Sequence, residues 1–160
     1  MIVLGIDPGI GRTGWGVIEV KGSRNTALAY DCFETPATRE TAARLVDLRA
    51  EILRIIKKHK PEMVGIEELF FNTNAKTAMV VGQARGVVLE AIAENGIPII
   101  SMTPPEIKTA VAGYGKADKD QVGKMVKMLL GLPSVPKPDD TADALACALA
   151  CSFSYKMKLA

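Results

Sequence analysis

Hydrophobic and polar positions alternate with different periods along the chain, and each change of period predicts an element. Residues 2–7 open with an unbroken apolar run, Ile2 to Ile6, that ends in Asp7, as a buried strand would. A "PGIGRTG" turn follows, and "GWGVIEV" at 14–20 then alternates as a second strand. The "KGSRN" turn leads to a third strand near 26–35, so the opening predicts an antiparallel meander. Over 39–58 the period becomes helical. Ala42, Leu45, Leu48, Ile52 and Ile56 share one face, with Arg44, Glu51, Arg54 and Lys58 elsewhere. A short apolar strand is predicted at 62–67, and a second helix at 74–94. That helix is capped by Asn72, Thr73 or Asn74 and stopped at Asn95–Gly96. A fifth strand is predicted at 97–101. From Pro104 the pattern is helical in short pieces, the last running from Asp139 or Asp140 to about Tyr155. A meander followed by alternating helix and strand predicts an α/β fold, a mixed sheet with helices on both faces. In such sheets sites collect at strand ends.

Composition narrows this picture a little. The 160 residues suit a single domain, 1–160, with no repeat, low-complexity tract or linker. No apolar run reaches membrane-spanning length, and the opening lacks a basic segment and a cleavage site, so neither membrane association nor a signal peptide is expected. Three cysteines without an export signal point to a reducing, cytoplasmic compartment. Cys147 and Cys151, one helical turn apart, are expected to be buried and reduced. With His59 the sole histidine, a zinc site is not expected. A net charge of +2 makes any nucleic-acid surface a local one.

Acidic residues change the picture more. Asp7 ends an apolar strand, where an unpaired buried charge costs on the order of several kcal/mol. Glu67, followed by Glu68, ends the apolar "MVGI" in the same way. In "PDDTADALACALAC", Asp140 and Asp143 are three apart and share a helical face. Beyond them the helix is apolar all round, which carries its acidic first turn to the margin of the core. Each acid alone has an ordinary role: a helix cap for Asp139 or Asp140, a solvated strand end for Glu67 or Glu68, a turn-former before Pro8 for Asp7. Together, four carboxylates from three segments repel unless a cation joins them. Hard oxygen donors suit Mg²⁺ or Mn²⁺. A metal pair about 4 Å apart activates water and stabilises the leaving oxygen in phosphodiester cleavage.

"GIDPG", "TGWGVIE", "IEELFF", "NAKTAMVVGQARGV" and "PDDTADALA", in this order over nearly the whole chain, resemble the RuvC family. These are bacterial Holliday-junction endonucleases with an RNase H-like fold. The opening D-x-G turn also occurs in sugar kinases and actin-like ATPases. "GQARG" and the terminal D-x-x-D make the resemblance specific. It implies an RNase H-like, five-stranded mixed sheet flanked by helices on both faces. It also implies that Asp7, Glu67, Asp140 and Asp143 are the catalytic, metal-binding set, Glu67 being matched because it directly follows "VGI". Asp139 is an extra acid, and which neighbour faces the site is open. The resemblance further implies that Phe70 stacks on a base and that Lys108 and Lys119 lie near the scissile phosphate. Mg²⁺ is the implied cofactor, with Mn²⁺ as a substitute and two ions per site during catalysis. The implied assembly is a homodimer on a four-way DNA junction, nicking two opposed strands, beside the branch-migration proteins RuvA and RuvB.

Some residues carry two readings. Phe70 and Phe71 cannot easily both point inward. Lys116, Lys119, Lys124 and Lys127 form either a solvated helical face or, with the glycines of "GYGKADKDQVGK", a mobile loop that lays Lys116 and Lys119 along phosphates. Ala78, Gly82 and Gly86 pack closely either on the sheet or against a second copy. A phosphotransferase of this fold needs a second domain, for which 160 residues leave no room. A noncatalytic nucleic-acid-binding module would have lost one or more acids. A YqgF-type protein shares the opening turn, but "GQARG" and "DDTAD" favour RuvC.

Overall fold

The five predicted strands form one sheet in the order β3-β2-β1-β4-β5. The computed structural model describes residues 1–68 and 75–159. Phe70, Phe71 and the candidate caps Asn72, Thr73 and Asn74 lie outside them. The elements are β1 (Ile2–Asp7), β2 (Arg12–Lys21), β3 (Arg24–Glu34), α1 (Thr41–His59), β4 (Met63–Glu67), α2 (Ala75–Glu94), β5 (Ile99–Met102), α3 (Pro104–Ala112), α4 (Lys119–Leu130) and α5 (Asp139–Leu159). β1 pairs antiparallel with β2, and β2 with β3, as the predicted meander requires. β4 joins β1 in parallel, and β5 joins β4 in parallel.

Alternation along the strands sends side chains into two separate cores. Leu4, Ile6, Val17, Val64 and Ile66 bury against α1 and α2. Val3, Ile18, Met63 and Met102 bury on the other face, against α3, α4 and α5. The sheet is therefore covered by helices on both sides. α1 uses Leu48, Ile52, Ile55 and Ile56 as its buried face, while Ala42 in its first turn stays exposed. α2 buries Ala84, Val88, Ala91 and Ile92. Gly86 is exposed, and a Cβ there would meet nothing within 4 Å. For Gly86, packing on the sheet is thus excluded.

The lysine stretch, read either as a solvated helical face or as a mobile loop, is a short turn after α3 followed by a capped helix from Lys119. Gly113 closes α3 at φ 87°, a left-handed conformation that suits glycine. Asp118 caps α4 by accepting from the Gln121 N–H, and the Gln121 side chain accepts from the Asp118 N–H in return. Lys119 is consequently the first residue of α4 and only Lys116 belongs to the turn. α5 runs past Tyr155 because Phe153 and Tyr155 still pack against the core.

α5 lies directly on the sheet backbone. A Cβ on Gly14 would overlap the Asp140 carbonyl, one on Gly5 the Ala144 carbonyl, and one on Gly65 the Cys147 carbonyl. Glycine is needed in these strands for close approach, not for turning.

Candidate active site

β1 and β4 run side by side with Ile6 opposite Ile66, so the next residues, Asp7 and Glu67, end adjacent parallel strands. Ile6 and Ile66 point toward α1 and α2. By alternation Asp7 and Glu67 point to the α5 face, as Gly5 and Gly65 do. α5 begins over β2, its start held down at Gly14, and carries Asp143 to the same place. Asp7, Glu67 and Asp143 line one cleft of about 270 Å³. Lys108 from α3 and Lys119 from α4 form its basic side, and Ile107 and Val122 its apolar wall.

The acids perturb one another. The Asp7 carboxyl is pushed up from 3.8 to about 8, by burial first and then by Glu67, Asp143 and Asp140; Lys119 opposes them. Burial and then Asp143 raise Glu67, against Lys119 and Lys108. Lys119 Nζ donates to Asp143 Oδ2 at 3.1 Å, and this bond raises the lysine pKa. In the free protein, a proton on Asp7 and the Lys119 ammonium offset part of the cluster's negative charge. Beneath it Cys147 is fully buried, its thiol held well above its usual pKa by burial and by the acids. Cys151 is pushed up to about 12 by burial. Both are free thiols, as expected of them.

The first turn of α5 separates its acids. Asp139 is exposed and accepts from Lys137 Nζ at 2.6 Å, which keeps its carboxyl below the usual range. Asp140 is half-buried and lines a neighbouring groove with Gly9, Gly11, Thr77 and Val80. It acts on Asp7 through its charge, from outside the cleft that the other three acids line. Lys116 is exposed in the α3–α4 turn and does not line this cleft. Phe70 lies outside the described residues. Arg85, within "GQARG", has no role that hydrophobic period or local spacing suggests. Its Nε–H donates to the Glu67 main-chain oxygen at 3.1 Å.

Among the described residues, no group of three acid, histidine or cysteine side chains stands as a ready-made metal cage. The donor chemistry nonetheless fits a divalent cation. All the donors are carboxylate oxygens, and the neighbouring carboxylates that add to the effect of burial on Asp7 also attract a metal.

Comparison with known proteins shows the family of the chain. Residues 3–151 match the family model described as crossover junction endodeoxyribonuclease RuvC. A protein of Desulfitobacterium hafniense with that description is 52% identical over 157 residues, covering 98% of this chain and 95% of that protein. The structure of Thermus thermophilus RuvC superposes with a TM-score of 0.92 at 38% identity, covering 99% of this chain and 97% of that one. T. thermophilus RuvC in complex with Holliday junction substrate gives 0.90 at 36% identity, covering 98% and 96%.

Proposed function

The chain belongs to the RuvC family of crossover junction endodeoxyribonucleases, which resolve Holliday junctions, and on that premise we propose how its cleft makes the cut. One observation carries the reading: Asp7, Glu67 and Asp143 converge in a cleft whose other side is basic. Asp7, Glu67 and Asp143, joined by Asp140 from the edge of the neighbouring groove, would hold divalent cations, Mg²⁺ with Mn²⁺ as a substitute, two during catalysis. When bound, the metal supplies an activated water and charge stabilisation for the departing oxygen.

The chain's own residues do the rest. Asp7 would release its proton to solvent on taking a cation, because a carboxylic acid is a poor ligand. Lys119 then has a phosphate, not only Asp143, to face. Lys108 adds a second positive charge beside Glu67. Preorganised cations at a developing negative charge are effective because they need no reorganisation during the reaction. Ile107 and Val122 keep that wall dry, which strengthens each of these interactions. Lys116 reaches the backbone of an outer arm, and Phe70 stacks on a base at the branch point.

A four-way junction has two equivalent strands to cut, so a homodimer supplies two clefts related by a two-fold axis. The open side of α2 at Gly86 is part of the contact between copies. The dimer works in the cytoplasm beside RuvA and RuvB. Among the described residues no helix is long and apolar enough to cross a membrane.

The test is a labelled four-way junction incubated with and without Mg²⁺. Paired nicks in opposed strands should appear only with the metal. Asp7→Asn, Glu67→Gln and Asp143→Asn should bind the junction at least as tightly as the parent and leave it uncut. A near-native cutting rate in any of them removes that residue from the metal set. A normal rate in Asp140→Asn with an inactive Asp139→Asn reverses the choice between those neighbours.

A further inference from the structure

We propose that Arg85 is a positioning residue for the cut, holding Glu67 in the cleft by its main-chain carbonyl. This rests on the reading of Glu67 as a metal ligand.

Glu67 is the last residue of β4, past the final register pair that joins β4 to β1, Ile6 with Ile66. Its side chain leaves on the α5 face. Arg85 arrives from the opposite layer, on α2, next to Ala84 in the core on the other face of the sheet. Its Nε–H donates to the Glu67 oxygen at 3.1 Å, and Nη2 donates to Ser101 Oγ on β5 at 2.9 Å. One planar guanidinium thus fixes the end of β4 to α2 and to β5 together. A guanidinium holds two acceptors in one plane, which a lysine ammonium does not. On the β5 side, the Glu68 N–H donates to the Met102 oxygen at 2.8 Å, so the residue after Glu67 is tied as well. The charges that tune the Glu67 carboxyl are Asp143, Lys119 and Lys108, all from the far face. Arg85 therefore works through the backbone torsions of Glu67 and not through its carboxylate. Groups that orient a ligand without touching the metal commonly matter by about 10–100-fold in metal affinity or activity.

The experiment compares Arg85→Met, which keeps the aliphatic stem, with Arg85→Lys and Glu67→Gln in the full-length protein. Three quantities are measured: single-turnover cleavage at saturating enzyme, junction affinity without metal, and Mn²⁺ binding by loss of the free-ion electron paramagnetic resonance signal. Arg85→Met should cut about 10–100-fold more slowly and bind Mn²⁺ more weakly, with junction affinity within about 2-fold of the parent. Arg85→Lys, keeping one donor, should fall between. A native rate and a native Mn²⁺ titration in Arg85→Met, with Glu67→Gln inactive, overturn the inference and leave the acid assignment standing. Loss of junction affinity in step with rate also overturns it, since that makes Arg85 a DNA contact or a general stabiliser. An active Glu67→Gln removes the premise itself. If Arg85→Met does not fold, Arg85→Lys decides, and a native rate there overturns the proposal.

Discussion

In the metal-free protein, Asp7→Asn should raise stability, and the gain should depend on pH in a defined way. The folded-state carboxyl titrates near 8 and its unfolded counterpart near 3.8. A raised carboxyl pKa means that the protonated form stabilises the fold. That contribution is complete below the unfolded value and is lost as pH rises toward the folded one. Each unit of separation is worth about 1.4 kcal/mol. At pH 7 the unfolded acid is ionised and the folded one mostly is not, so Asp7 lowers stability by about 4 kcal/mol relative to acid conditions. Against a typical total of about 5–15 kcal/mol this is large. Asparagine keeps the shape and does not titrate in this range. If its amide lacks a partner, the loss of about 1–3 kcal/mol is the same at every pH and moves the curve without tilting it. The slope is therefore the quantity to measure. Urea unfolding, followed by the fluorescence of the single tryptophan, Trp15, is run in chelator at half-unit steps from about pH 2.5 to 9. The gap between variant and parent should be flat at the acid end, widen up to about pH 8 and level off. Millimolar Mg²⁺ should close part of it by stabilising the parent alone. Parallel curves across the range would refute the argument, because they would mean that Asp7 is neither desolvated nor held in the field of its neighbours.

Lys119→Ala removes the partner of Asp143; it should lower cleavage and reduce the salt slope of junction binding by about one, leaving the preference for junction over duplex intact, as a salt series on both substrates would show. Gly14→Ala places a methyl into the Asp140 carbonyl, and should lower stability by about 1–3 kcal/mol while slowing single-turnover cleavage far more than it weakens junction binding. Gly86→Leu projects into open space, so its monomer melting temperature should stay near that of the parent while light scattering shows a weaker dimer; an unchanged dimer would remove this face of α2 from the contact.

Period alone located every strand and α1, because a half-buried strand and an amphipathic helix write their geometry into the spacing of apolar residues. It also placed Asp7 and Glu67 at strand ends. Their shared face follows from alternation once Ile6 and Ile66 are known to be opposite each other. The choice between Asp139 and Asp140 was not legible, since a first turn can rotate by a residue; in the fold Asp139 is exposed and bonded to Lys137, while Asp140 is half-buried in the neighbouring groove. "GYGKADKDQ" reads as a loop if its glycines are taken as flexible, yet Gly113 is a helix cap and Asp118 with Gln121 a capping box. Arg85 was invisible because its contact crosses the sheet from another layer. The strand glycines were visible as letters, but their use depends on a helix 130 or so residues away in the chain for Gly14, whose would-be side chain meets Asp140.

Those glycines make α5 a ruler. Asp140 sits over β2 at Gly14, Ala144 over β1 at Gly5, and Cys147 over β4 at Gly65. The helix advances about one turn, or ~5.4 Å, for each strand it crosses, and strands stand ~4.8 Å apart. The two spacings nearly match, so each seat indexes the next like teeth on a rack. One residue inserted between Asp140 and Cys147 would turn the rest of the helix by about 100° and unseat part of the row. The count of residues in that segment therefore sets where the carboxylate of Asp143 stands, and length there is under tighter constraint than composition.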